Sequence, residues 1–443
     1  MSALSTRLEK EAGRPLTPLQ IFDITAARET TLSRLLMLYI STGLLFMLLP
    51  GTFLGVWNLF AISSHRAADS VSTAWIQAHG HAQIFGWIGT FILGIGFYSI
   101  PKLRRLNSFA LLAAWSSWAL WTVGVTLRWL TGIYQWRWRT LLPLSAALEL
   151  VAFAIFFRTV SAHRPQDSDK TKLDEWVFVV IAGSVGLLLT LLVNLGITSI
   201  LAIRGISPEI PAAFDQRFLV LQTWGFLVPF VWGFSAKWLP VFLGLRTVRG
   251  RILLLAVSVN SAGVLLACAG WMTASSLILV VGSAAAVYAL RLFEPVIRPA
   301  KIKGVHTSFP VFVRLAYIWA LVAGTLGVWA ASVENSHGIW GASRHALTVG
   351  FLATMVFAIG HRVLPAFSGM RLLFSTKLMF IAIFLLTVGC LLRVSSEILA
   401  YQGLAPSAWT WLPVSAISEM TAVTLFATNL LATFSQRPPS AQP

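Results

Sequence analysis

The chain has 443 residues, of which 57% are hydrophobic and 11% charged, with a mean hydropathy of +0.77. Soluble domains carry about a quarter charged residues, so a soluble enzyme of one or two domains is excluded. Lys and Arg outnumber Asp and Glu by 33 to 16, a net charge of +17; on a soluble protein that balance would suggest nucleic acid, but here its meaning depends on where the cations sit.

A bilayer core takes about 20 mostly apolar residues per helix. Twelve runs qualify: 35–59, 77–99, 108–130, 141–159, 176–200, 219–239, 253–273, 276–292, 312–333, 345–364, 378–399 and 409–431. They predict an all-α, polytopic membrane bundle of about twelve transmembrane helices. The runs are continuous rather than alternating, so there is no β-barrel signal. Residues 1–34 mix Arg7, Glu9, Lys10, Glu11, Arg14 and Arg28 and have no apolar signal-peptide core. They read as a cytoplasmic tail or interfacial helix, ahead of a transmembrane domain over 35–433 and a cytoplasmic tail at 434–443.

The cations are distributed unevenly. The tails and the gaps after spans 2, 4, 6, 8 and 10 hold 25 Lys and Arg. The remaining gaps hold Arg66, Arg128, Arg137, Arg139, Arg204, Arg217, Arg344 and Arg393. This is a positive-inside pattern with both termini cytoplasmic. The basic charge thus reports topology, with the lipid bilayer as partner and no nucleic acid. Cys268 and Cys390 fall within spans and read as small core residues.

The chain repeats itself. In the second span Gly86 follows His81 by five residues and Pro101 by twenty, and Gly350 and Pro365 follow His345 at the same spacings in the tenth. A third copy ends at Pro240, with Gly225 in register and Val220 at the histidine position. Thr122-Val-Gly-Val-Thr-Leu-Arg128 echoes Thr387-Val-Gly-Cys-Leu-Leu-Arg393, and Pro143-Leu-Ser-Ala-Ala-Leu-Glu149 echoes Pro413-Val-Ser-Ala-Ile-Ser-Glu419. Three parallel four-helix units result, over 35–160, 176–293 and 312–433, the middle one degenerate.

His65, His79, His81, His337 and His345 fall on the outer side of this topology, and His163, His306 and His361 on the inner side. His81 and His345 open spans that run the same way, so their imidazoles lie at similar depth. An ionisable group inside a span needs a reason, and two neutral imidazoles between bundle helices suit a haem iron or copper. The competing reading for each is a helix-end histidine bonded to a carbonyl; the matched pair favours a ligand role. His79 lies ~200° from His81 around a regular helix, so it is a second-metal ligand, an exchangeable ligand or a supporting group. His361 reads as a solvated residue at the inner interface. Arg128 and Arg393 suit haem propionates or snorkel to headgroups. Glu149 and Glu419 pair with these arginines or carry protons, and pairing is favoured. Trp129, Trp136 and Trp138 read as an aromatic belt.

Ala78-His79-Gly80-His81-Ala82-Gln83-Ile84-Phe85-Gly86 and Arg344-His345-Ala346-Leu347-Thr348-Val349-Gly350 together resemble the NnrS family of bacterial membrane proteins. The resemblance implies haem and copper as cofactors and a role in the response to nitric oxide and nitrosative stress. A more distant similarity is to subunit I of haem-copper oxidases and nitric oxide reductases. It implies twelve helices in pseudo-threefold arrangement, with haem iron bound by His81 or His79 together with His345. Two departures stand out: Ala82 replaces the acid that often follows the first histidine motif, and spans 6 and 7 hold no histidine for a three-His copper centre. The leading expectation is a haem-binding inner-membrane protein, b-type haem between spans 2 and 10, that binds nitric oxide or another small diatomic ligand. The competing readings are a membrane oxidoreductase with an external electron donor and a cofactor-free transporter or assembly factor.

Overall fold

A computed structural model describes residues 17–103, 109–161, 174–334 and 336–437. Twelve long helices account for the fold, and no strand occurs among the described residues. Helix α1 runs through Pro18–Phe46, Met47–Phe53 and Leu54–His65; α2 through Thr73–His81, Ala82–Gly89 and Thr90–Leu103; α3 is Leu111–Tyr134 and α4 Trp138–Ser161. Helix α5 is Glu175–Arg204; α6 joins Ala212–Val220, Leu221–Leu227 and Val228–Phe242; α7 is Gly250–Cys268 and α8 Met272–Leu290. Helix α9 is Phe309–Ser332; α10 joins His337–His345, Ala346–Ala353 and Thr354–Phe367; α11 is Thr376–Tyr401 and α12 Ala408–Ser435.

Eleven of these are long and apolar enough to cross a membrane, so the protein is a multi-pass membrane protein in contact with lipid. The exception is α3, where Trp115, Ser116, Ser117, Trp118 and Trp121 lower the mean hydropathy. It nonetheless packs along α4 as one arm of a hairpin, and α7 with α8 and α11 with α12 form the equivalent hairpins. The first helix starts well before position 35: Thr17 accepts a bond from the Gln20 amide and Gln20 bonds back to the Thr17 amide, a reciprocal cap ahead of Pro18. The tight connection between α7 and α8 lies at 269–271, not at Thr273–Ser276, because Gly270 takes φ +92° there. Cys268 ends α7 exposed rather than in the core, whereas Cys390 is buried.

The three repeat-equivalent helices form the centre. The most apolar stretches of α2, α6 and α10 are 83%, 78% and 72% buried, against 39–56% for the other spans. Each centre helix widens into a π-helical stretch at one register: Ala82–Gly89 follows His81, Leu221–Leu227 follows Val220 and Ala346–Ala353 follows His345. Such turns leave backbone carbonyls loosely held and concentrate at functional positions. Two are recovered by hydroxyls nine residues after the histidine, Thr90 donating to the Gly86 carbonyl at 2.6 Å and Thr354 to that of Val349 at 3.2 Å. The middle unit has Pro229 there instead, which has no amide hydrogen.

The hairpins repeat at atomic detail. A Cβ on Gly124 of α3 would meet the Ser145 carbonyl and Glu149 Cγ of α4, each at 2.9 Å; one on Gly389 of α11 would meet the Ser415 carbonyl at 3.2 Å and Glu419 Cγ at 2.7 Å. In α7, the corresponding Gly263 faces Leu279 of α8 at 2.9 Å. That register aligns Leu279 with the two glutamates, and Ala267 with Arg128 and Arg393, each four residues past its glycine. The middle unit therefore has Val220, Ala267 and Leu279 where its neighbours have His, Arg and Glu.

Candidate functional site

One cavity of about 420 Å³ lies at the histidine end of the bundle, within the 300–1,000 Å³ usual for ligand pockets. His79, His81, His345, Arg128, Arg393 and Glu419 all line it, contributed by α2, α10, α3, α11 and α12. Its walls are otherwise largely apolar, with Ile84, Ile88, Leu386 and Val423 among them. The exposed residues Ala68 and Ile76 mark where it reaches the surface. The segment between α5 and α6 is pinned over this end: Gln77 exchanges two hydrogen bonds with the Ile210 backbone, at 2.8 and 2.9 Å, and Glu209 accepts from Ser72 at 3.1 Å.

The three histidines differ in which nitrogen is engaged. His79 Nδ1 donates to the Gly51 carbonyl at 2.8 Å, and His345 Nδ1 to the Gly341 carbonyl at 2.8 Å. A carbonyl only accepts, so both neutral rings carry the proton on Nδ1 and leave a lone pair on Nε2. Orientation of a ligating imidazole by a backbone carbonyl is the usual support for metal coordination. His81 is the reverse case: its Nε2 donates to Glu149 Oε1 at 2.8 Å, in a pair whose side chains are 7% and 0% exposed, and its ring stacks on Phe85. His79 and His81 do reach the same cavity despite their angular separation, because the cavity wraps around the first turns of α2.

Local sequence explains these placements. Gly51 lies in a π-helical stretch of α1 that contains Pro50. Gly55, one turn on, lets the His79 ring lie against α1: a Cβ there would stand 2.6 Å from His79 Cε1. Gly341 serves His345 twice, since its carbonyl takes the imidazole proton and its missing side chain leaves room for Glu397, whose Oε1 would be 1.8 Å from a Cβ. Glu397 Oε2 lies 3.2 Å from His345 Nδ1 and 3.5 Å from Arg393 Nε. We expect Gly341→Ala to expel Glu397 and to cost about 1–3 kcal/mol, as overpacking of a filled interior does. Thermal unfolding in detergent measures this; an unshifted midpoint would mean that Glu397 does not need the glycine.

Several sequence expectations change. Glu149 pairs with His81 and not with Arg128, and Glu419 makes no ion pair among the described residues; its Oε1 is buried without a partner. The ion pair of α11 is instead Arg393 with Glu397 four residues on, a spacing legible in an otherwise apolar helix. Asp215, Arg344 and Gln222 also line the cavity. His361 is not a solvated interface residue: it is 1% exposed, donates from Nδ1 to the Phe357 carbonyl at 2.9 Å and meets the Phe426 ring edge-on. At the level of the chain, α10 stays packed inside the bundle through that turn.

The fold can now be compared with solved chains. It is similar to a haem-copper terminal oxidase. That structure, described as a cryo-EM structure of a heme-copper terminal oxidase dimer, matches with a TM-score of 0.57 at 12% identity, covering 92% of this chain and 84% of the other. At that identity the likeness concerns the fold, and it is consistent with the distant similarity to haem-copper oxidase subunit I expected from the sequence. By sequence, residues 296–434 match a family described only as a domain of unknown function (DUF8744). The matched stretch is close to the third four-helix unit, α9 to α12. No curated protein matches.

The residues present suit a haem. Two imidazoles offer Nε2 lone pairs. Arg393 has a buried Nη1 with no partner, suited to a carboxylate. Asn58 Oδ1, Gln83 Oε1, Trp87 Nε1 and Glu419 Oε1, on residues that line the same cavity, are likewise buried and unbonded. Buried polar atoms are rarely left so, and a polar-edged ligand in this cavity would lie beside these residues. Copper fits less well: among the described residues no three His, Cys, Asp or Glu side chains converge as a metal site.

Proposed function

We propose that the protein is a haem-binding inner-membrane protein of the NnrS kind, acting in the response to nitric oxide. The observation that carries this reading is the pair His79 and His345, on different units, with both Nδ1 atoms committed to backbone carbonyls and both Nε2 atoms free on one cavity. The haem-copper-oxidase-like fold and the two histidine motifs support it.

In this reading His79 and His345 hold the iron from α2 and α10, and Arg393 takes a propionate. When bound, haem supplies a one-electron couple and an iron that takes diatomic ligands. Gly51 and Gly341 fix the tautomer of each imidazole through their carbonyls, and Glu397 sits against His345 Nδ1, where its charge makes the ring a stronger donor. His81 with Glu149 is a supporting pair in the cavity wall and does not ligate through Nε2, which is already engaged.

The test is the optical spectrum of detergent-purified protein, with metal analysis. We expect one Soret band with iron near stoichiometric, a reduced-minus-oxidised difference, and a shift of the reduced band on adding nitric oxide. Protein purified after haem-supplemented growth that shows no Soret band and no iron would overturn the reading.

A further inference from the structure

Two arginines occupy equivalent places in the first and third units, and only one has an internal counter-ion. Arg393 is followed four residues on by Glu397, whose Oε2 stands 3.5 Å from its Nε. The position four residues after Arg128 is Gly132. It cannot carry a glutamate, because a Cβ there would already meet the Cβ of Ala78 on α2 at 2.9 Å and the Ala74 carbonyl at 3.3 Å. Close packing of α3 on α2 has removed the partner that α11 retains.

Arg128 is nonetheless 5% exposed and lines the cavity. Among the described residues no acceptor lies within hydrogen-bond or ion-pair range of its guanidinium. Glu149, on α4, accepts from His81 through Oε1 and acts on Arg128 only through space, its Oε2 buried and unbonded. Asp215, at the head of α6, acts through space on both Arg128 and Arg344, so two guanidiniums share one carboxylate. Two helical turns further along α6, Gln222 is 6% exposed, faces the same cavity and makes no side-chain hydrogen bond among the described residues. Leaving a buried guanidinium unpaired is costly, and Arg128 and Gln222 both line the open cavity.

We propose that Arg128, with Gln222 as second donor, binds a small monoanion of the carboxylate or nitrite class on the α3 and α6 side of the cavity. Arg offers a planar fork that matches two oxygens of such an anion. The anion supplies Arg128 with the counter-charge that Glu397 gives Arg393 in the third unit. This inference does not depend on a bound haem, because the donors are in place without one. The carboxylate can be a free anion or one arm of a cofactor, and the chemistry is the same.

The experiment uses full-length protein in detergent, expressed under haem limitation, titrated by calorimetry with sodium formate and with formamide as neutral isostere. Saturable binding of formate and not of formamide is expected. Arg128→Gln should weaken it about tenfold or more, the loss of one charged hydrogen-bonding group; Arg128→Lys should weaken it less, and Gln222→Leu several-fold. Binding that survives haem loading identifies a free anion; binding abolished by haem identifies a cofactor carboxylate. Both support the site. Absence of saturable formate binding, or equal binding by wild type and a folded Arg128→Gln, would overturn it.

Discussion

His79→Ala and His345→Ala are each expected to abolish the Soret band, while His81→Ala should retain most of it. The reasoning is tautomeric. An imidazole can ligate through a nitrogen only if that nitrogen has a lone pair and room in front of it. His79 and His345 satisfy both at Nε2, with Nδ1–H fixed on Gly51 and Gly341. His81 has placed Nε2 on Glu149 at 2.8 Å, with both side chains buried, and leaving that pair half-broken costs about 3–5 kcal/mol. His81→Ala should therefore lower the unfolding temperature without removing the cofactor, and Glu149→Gln should lessen that penalty by removing the orphaned charge. The opposite spectral pattern, with haem lost in His81→Ala and kept in His79→Ala, would return the ligand role to His81.

A second large effect is expected where α5 packs on α6, beside the stretch whose Gln222, Thr223 and Leu227 line the cavity. Helix α5 crosses the π-helical stretch of α6 so closely that a Cβ on Gly186 would stand 1.9 Å from the Gly225 carbonyl oxygen. A backbone atom in a packed interior cannot swing aside as a side chain can, so the two helices must part. Gly186→Ala should cost about 3 kcal/mol or more, at the upper end of overpacking penalties. Gly196, three turns along the same helix, has nothing within 4 Å of a Cβ and is exposed. Gly196→Ala should be neutral or stabilising by up to about 1 kcal/mol, from helix propensity alone. Thermal unfolding in one detergent compares them directly. Equal midpoints would mean that α5 and α6 do not cross at Gly186.

Much of the fold is legible in sequence because lipid imposes a simple rule: every spanning segment must satisfy its own backbone, so apolar run length counts helices. The internal repeat, readable as His81 with Gly86 and Pro101 against His345 with Gly350 and Pro365, then ordered those helices into units. The placement of scarce ionisable groups along the spans and the internal repeat also bring forward His79, His81, His345, Arg128 and Arg393. All five line one cavity.

What the sequence could not settle is which atom of each residue faces which partner. The repeat placed Glu149 and Glu419 in matching positions, and they behave differently: one is bonded to a histidine and the other is unpaired. The difference comes from neighbours on other helices, chiefly Glu397 of α11 behind Gly341 of α10. Position along its helix puts His361 at the inner interface, but burial depends on what surrounds that turn, and Phe426 of α12 lies against it. Apolar run length sets the number of spans because each span meets the membrane on its own. Tautomers, ion-pair partners and unmatched donors arise only between spans, and so the tertiary structure alone decided them.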